Sequence, residues 1–204
     1  MKRLFPTAAL AAAIAFAGGG AWLLGPVRQP AAAGTGETAL PPGVALGGAF
    51  ALVDSKGHAV TDRDLRGRWV LLYFGYASCP DVCPTELQTM AEGIDALRPD
   101  LAAKVQPVFI TVDPERDTPE RLADYVALFH PRLIGLTGTP AEVAQAARAY
   151  RVYYAKTASA DPAEYLMDHS SFLYLVGPDG AVRALFRPGT TSEDLAAALR
   201  RRLG

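Results

Sequence analysis

"WVLLYFGYASCPDVCPTELQTMAEGIDAL", residues 69–97, holds both cysteines of the chain, Cys79 and Cys83, between an apolar run and a segment of helical periodicity. Residues 69–76 are continuously apolar and rich in aromatics, the pattern of a strand buried on both faces. Beyond the cysteines, Leu87, Met90, Ile94 and Leu97 recur at helical spacing, and Pro84 suits a first helical position. A buried strand running through a short loop into a helix places that loop at the carboxyl edge of a sheet, where open α/β folds carry ligands. Proline disfavours the α conformation in the residue before it, so Cys83 is expected at the helix N-cap with Cys79 one loop earlier. Both thiols then lie near the positive end of the helix dipole, which stabilises thiolate, the form that attacks disulfides and binds soft metals.

The flanking sequence extends this unit in both directions. "AFALVDSKGHAVT" reads as two short strands around the turn Ser55-Lys56-Gly57, and "VQPVFITVD" as a second buried strand. "TPERLADYVALF" and "TPAEVAQAARAY" each open a helix with a threonine cap, Thr118 or Thr139, followed by proline. "RVYYAK" reads as a strand, "SFLYLVGPDGAVRALF" as two strands joined at Pro178-Asp179-Gly180, and "TSEDLAAALRRRL" as a closing helix capped by Thr191 or Ser192. Strands alternating with helices predict an α/β sheet layered by helices. Order and spacing resemble a thioredoxin-like fold with an added N-terminal β-hairpin.

Lys2 and Arg3 precede an uncharged stretch, Leu4 to Val27, long enough for the about 20 apolar residues that span a bilayer. Residues 1–27 are therefore expected to form an N-terminal membrane anchor, with the positive charges keeping that end in the cytoplasm. The alternative is a signal peptide, for which "AFAGG" at 15–19 offers small residues. Either reading exports the folded part. Residues 28–43, rich in Pro, Ala, Gly and Thr without a period, read as a flexible linker, and residues 44–204 as one domain able to bury its own core. With 20 basic against 21 acidic side chains, the composition gives no support to a nucleic-acid partner. Arg200, Arg201 and Arg202 sit in the last turn of the closing helix, where cations complement the dipole.

A disulfide closing so short a loop would constrain the unfolded chain by only about 2 kcal/mol, which a domain of this size does not need. The strand-to-helix setting favours a functional pair. Of the three histidines, His58 lies beside a turn and His130 precedes a proline at a helix end, so both read as surface or capping residues. His169 begins the strand that a thioredoxin-like layout brings near the cysteine loop, and the adjacent Asp168 is placed to orient an imidazole. Two thiolates and an imidazole form a soft, three-coordinate set suited to Cu(I) and able to accept Cu(II) with added ligands. Structural zinc takes four protein ligands and ranks lower. In "VDPERDTPE", Asp113 ends a strand, while Asp117, Thr118 and Glu120 dress a helix start.

The segments "FALVDSKGHAVTDRDLRGRWVLLYFGYASCPDVCPTEL", "VFITVDPERDTPERLADYV", "LIGLTGTPAEVAQAARAYRVYY" and "DHSSFLYLVGPDG" cover nearly all of residues 49–186. Together they resemble the Sco/SenC proteins that assemble the copper centre of cytochrome c oxidase. The resemblance implies copper as Cu(I) or Cu(II), Cys79, Cys83 and His169 as its ligands, and an inner-membrane anchor with the domain on the periplasmic side. The implied partners are the copper-bearing oxidase subunit and other periplasmic copper carriers or thiol reductants. Two roles stay open: a metallochaperone that is not an enzyme, and a thiol-disulfide oxidoreductase that uses Cys79 and Cys83 to reduce the oxidase copper-site cysteines. Three residues between the cysteines, rather than two, and no proline in "YLMDHSSFLYLV" favour the chaperone. A peroxidase is disfavoured, since no threonine and arginine set is evident to bind peroxide.

Overall fold

The computed structural model describes residues 36–41, 43–157 and 165–204. The expected anchor lies outside them, and among the described residues no helix is long and apolar enough to cross a membrane. In chain order the elements are β1 (Glu37–Thr38), β2 (Ala51–Asp54), β3 (Ala59–Thr61), a 3-10 turn (Asp62–Leu65), β4 (Trp69–Gly75), α1 (Val82–Asp95), α2 (Pro99–Ala102), β5 (Val105–Thr111), α3 (Pro119–Ala127), β6 (Ile134–Thr137), α4 (Pro140–Ala149), β7 (Tyr154–Lys156), β8 (Met167–His169), β9 (Leu173–Val176), β10 (Val182–Phe186) and α5 (Ser192–Leu203).

β4 forms where the apolar run places it, and every residue from Val70 to Gly75 is buried. It occupies the middle of an eight-stranded sheet of order β1-β10-β9-β4-β5-β6-β2-β3. β4, β5 and β6 run parallel, and β9 pairs antiparallel with β4, setting Tyr73 opposite Leu173. Alternation along the pleat sends Tyr73 and its neighbour Phe109 toward α1 and α3, where Phe109 meets Tyr125, whereas Phe74 packs on Tyr150 at the end of α4. Both faces are thus covered by helices, which is why β4 carries no polar alternation. The predicted hairpin appears as β2 and β3, and β2 pairs with β6. This is the α/β, thioredoxin-like architecture with an added N-terminal hairpin. Thr118, Thr139 and Thr191 each accept a backbone N–H as N-caps.

Four features depart from the sequence reading. β6 was not expected, because a four-residue run broken by Gly135 is too short to stand out. Its glycine lets the strand approach α3, since a Cβ there would meet Val126 and Leu122 at 3.1 and 3.2 Å. β7 joins β8 in a separate two-stranded sheet. Residues 36–40, placed in the linker by composition, are ordered onto the domain: β1 pairs with β10, and Glu37 accepts from Arg201 and Arg202. Those arginines therefore hold a carboxylate as well as complementing the helix end, and Arg200 donates to the Ala96 carbonyl. His130 is buried rather than at the surface, with Nδ1 accepting from the Arg132 N–H.

Gly75 ends β4 directly beneath the cysteine loop. A Cβ at this position would lie 2.8 Å from Cys83 Sγ and 2.9 Å from a Tyr73 ring carbon. Gly75→Ala is expected to lower Tm by roughly 3–10 °C through overpacking of about 1–3 kcal/mol. A thermal melt identical to that of the parent would show that the thiol has room to move.

Candidate metal centre

The loop between β4 and α1 is shaped from both ends. The Cys79 N–H donates to the Tyr76 carbonyl at 3.2 Å, closing a turn. Helix α1 begins two residues earlier than the proline rule suggested: Val82, Cys83 and Pro84 fill its first three positions, and Cys83 is not the N-cap. Proline is tolerated there because the N–H it lacks would have no partner within the helix, and its ring faces a residue outside it. Asp81, the N-cap, makes no side-chain cap bond. Cys79 Sγ takes that role instead, accepting the Cys83 N–H at 3.4 Å. A thiolate here satisfies an orphan donor and meets the positive end of the dipole.

His169 reaches the same point from a segment 86 residues away from Cys83, with Nε2 3.3 Å from Cys83 Sγ. It ends the short strand β8 and precedes β9 by four residues, rather than beginning the strand near the cysteine loop. Asp168 does not orient the imidazole: successive residues of a strand point to opposite faces, and Asp168 is exposed. His169 Nδ1 instead lies 3.2 Å from the Ser170 carbonyl, a contact that turns Nε2 toward the thiols. Tyr73 and Tyr76 present their rings edge-on to the imidazole at 6.1 and 5.8 Å. Tyr73 also donates its hydroxyl to Cys83 Sγ at 3.8 Å.

The ligand-capable atoms of Cys79, Cys83 and His169 all lie within 4.8 Å of one another. The structure thus brings together the three residues singled out in the sequence. His58 does not join them: it is paired with Asp54 beside its turn. A mouth lined by Tyr76, Cys79, Asp81, Leu166, Met167 and His169 opens the cluster to solvent.

The two thiols are unlike. A hydrogen bond from the Cys83 thiol, supported by His169 and the N–H groups of Asp81 and Cys83, overcomes burial and holds Cys79 down at about 3. Donation to Cys79, together with burial, drives Cys83 far upward. The pair therefore keeps one proton, on the inner sulfur, and presents a thiolate at the half-buried outer one.

Residues whose role the sequence did not reveal support this arrangement. Asp117, read there as a helix-start charge, is fully buried; it accepts the Ala77 N–H at 2.9 Å and the Thr111 hydroxyl at 2.6 Å, bracing the cysteine loop against β5. Burial raises its carboxyl above the ordinary range. Asp113, also buried, accepts from the Tyr165 hydroxyl at 2.7 Å and from Arg116. The signal was a dense run of charge, "DPERD", directly after a buried strand, which is an unusual place for solvated side chains.

A thioredoxin-like sheet with two cysteines at its carboxyl edge and a histidine closing over them defines a soft-metal or thiol-redox protein. The SCO1/SenC family model matches residues 39–204, and the chain belongs to that family. It is 50% identical over 135 residues to the mitochondrial SCO1 homolog 1 of Arabidopsis thaliana, spanning 66% of this chain and 40% of that protein. It is 45% identical over 159 residues to the human mitochondrial SCO1 homolog, spanning 76% and 52% respectively. The chain thus covers about half the length of these relatives. Among solved structures, Bradyrhizobium japonicum ScoI with copper bound is 46% identical, with a TM-score of 0.70 over 76% of this chain and 98% of that one. Yeast Sco1 with copper bound is 37% identical, with a TM-score of 0.72 over 78% and 88%.

Because its folded-state value lies far below that of a free thiol, Cys79 stays ionised from mildly acidic to neutral pH. Alkylation of the reduced protein by iodoacetamide is expected to hit Cys79 first, at a rate changing less than about threefold from pH 5 to 8. An ordinary thiol would change by roughly a thousandfold over that range. Ordinary titration of both cysteines near pH 8.5 would refute the asymmetry.

Proposed function

We propose that this chain is a copper chaperone, tethered to the membrane by residues 1–27 with its domain on the exported side, that serves assembly of the copper centre of cytochrome c oxidase. The observation that carries the reading is the convergence of two cysteine sulfurs and one imidazole nitrogen within 4.8 Å at an open mouth. Such a set is soft and short of the four ligands of structural zinc, which suits copper. Family membership supports it, as do relatives solved with copper bound. Copper is cargo here. Cys79, Cys83 and His169 are its ligands in this proposal, and the mouth admits an acceptor's thiols and imidazoles for stepwise exchange. Loading displaces the proton held on Cys83, and oxidation of the pair to a disulfide removes two of the three donors.

One observation favours a second activity. The ionised outer sulfur and protonated inner sulfur match a dithiol reductant. In that chemistry Cys79 attacks a partner disulfide and releases one partner thiolate. Cys83 then gives up its proton and attacks Cys79, releasing the second thiol and leaving the pair oxidised by two electrons.

One variant separates the two. In an anaerobic Cu(I) titration of the full reduced chain against a competing chelator, one copper is expected to bind. His169→Ala should weaken it by more than the roughly 10–100-fold that loss of an outer-shell partner costs. Thiol-disulfide exchange by the same variant should stay within about threefold of the parent, because the Cys83 hydrogen bond stabilises the Cys79 thiolate more than His169 does. Poor competition by the parent would transfer the function to exchange alone, and equal loss of both activities would end the division of labour.

A further inference from the structure

His169 rides on a β7–β8 hairpin that is not hydrogen-bonded into the main sheet. Something else must hold it over the cysteines. Arg116, in the turn between β5 and α3, contacts the hairpin and the aromatic wall of the site at once. Its Nη1 donates to the Tyr165 carbonyl at 2.9 Å and its Nε donates to buried Asp113, which also accepts the Tyr165 hydroxyl. The guanidinium lies 3.7 Å over the Tyr165 ring and 5.8 Å from the centre of the Tyr76 ring. Tyr76 in turn meets the His169 imidazole edge-on.

We propose that Arg116 is a positioning residue for His169, clasping Tyr165 to Asp113 so that the imidazole is held over the cysteine pair. The inference deepens the copper reading and rests on it for its affinity arm. Tyr165 leads directly into β8, so fixing it fixes the approach of His169. A second tie between the hairpin and the same turn, Lys156 to Glu115, is solvent-exposed on both sides. Exposed pairs of that kind add little. The clasp is different in kind, because a planar fork satisfies carboxylate and carbonyl together while stacking on an aromatic face. Lysine keeps the charge and loses both features. Loss of the clasp leaves the ligands present but frees the arm, and ordering it must then be supplied at every binding event.

The test is a double-mutant cycle on the full chain. Arg116→Lys is expected to weaken Cu(I) binding by about 10–100-fold, and by less than about twofold when His169 is already Ala, because the effect acts through that ligand. The Cys79 alkylation rate should be unchanged within about twofold. In metal-free protein, hydrogen exchange of the Thr157 and Ser170 amides, which bond across the hairpin to Leu166 and Tyr153, should accelerate at least about tenfold. Exchange in β5 should not change. Tyr165→Phe, which keeps the stack and drops only the hydroxyl, should give an intermediate effect and serves if the arginine variant fails to fold. Equal losses with and without His169, or hairpin exchange that does not respond, would overturn the proposal. Should the parent itself bind copper poorly, the copper reading falls, and the metal-free exchange still decides the role of Arg116.

Discussion

The antiparallel register that sets Tyr73 of β4 opposite Leu173 of β9 governs the geometry of the site. It fixes where β4 delivers the chain into the cysteine loop and where β9 receives it from the histidine arm, both at one end of the sheet. A slip by one residue would turn Tyr73 away from Cys83 and send its hydroxyl to the opposite layer. The buried, double-faced packing of both strands makes such a slip costly. The site thus inherits its precision from the hydrophobic core, although none of its donors is a core residue in the ordinary sense except Cys83.

Around that frame the protein sets two braces drawn from one short segment, the turn after β5. Asp117 holds the backbone of the cysteine loop, and Asp113 with Arg116 holds the strand leading to His169. Buried carboxylates are costly unless hydrogen-bonded, and here each accepts two donors: Ala77 N–H and the Thr111 hydroxyl on Asp117, Arg116 and the Tyr165 hydroxyl on Asp113. Placing both on one turn ties the positions of the two halves of the site together. The electrostatic result is a pair of sulfurs sharing one proton: the outer sulfur caps a helix as thiolate, and the inner one is shielded by Tyr73 and the imidazole. Such a pair can receive a soft cation or a disulfide without first ionising its exposed member.

Most of this was legible in the residues. The unbroken apolar run at 69–76 could only be a doubly buried strand, and the helical spacing of Leu87, Met90 and Ile94 fixed the element after it. The cysteine pair and His169 could be singled out because few side chains compete with them for that chemistry. What escaped notice depended on tertiary contact. Asp113 looks like a strand end and Asp117 like a helix-start charge in one dimension, because nothing local distinguishes a solvated aspartate from one that bonds a loop 40 residues earlier. Asp168 was a plausible partner for His169 by adjacency, yet strand alternation points the two apart. Cys83 obeyed the dipole argument but entered the helix despite the following proline, since its side chain packs fully into the core. The strand at Ile134–Thr137 was hidden by its length and its glycine.

In the proposed copper site two sulfurs and one nitrogen act as a single ligand set. X-ray absorption at the copper edge of the Cu(I)-loaded full chain tests it most directly. A three-coordinate shell of two sulfurs and one imidazole nitrogen is expected, with the imidazole scattering lost in His169→Ala. A two-sulfur shell indifferent to that substitution would contradict it, and would leave His169 as a wall of the site and not a part of it.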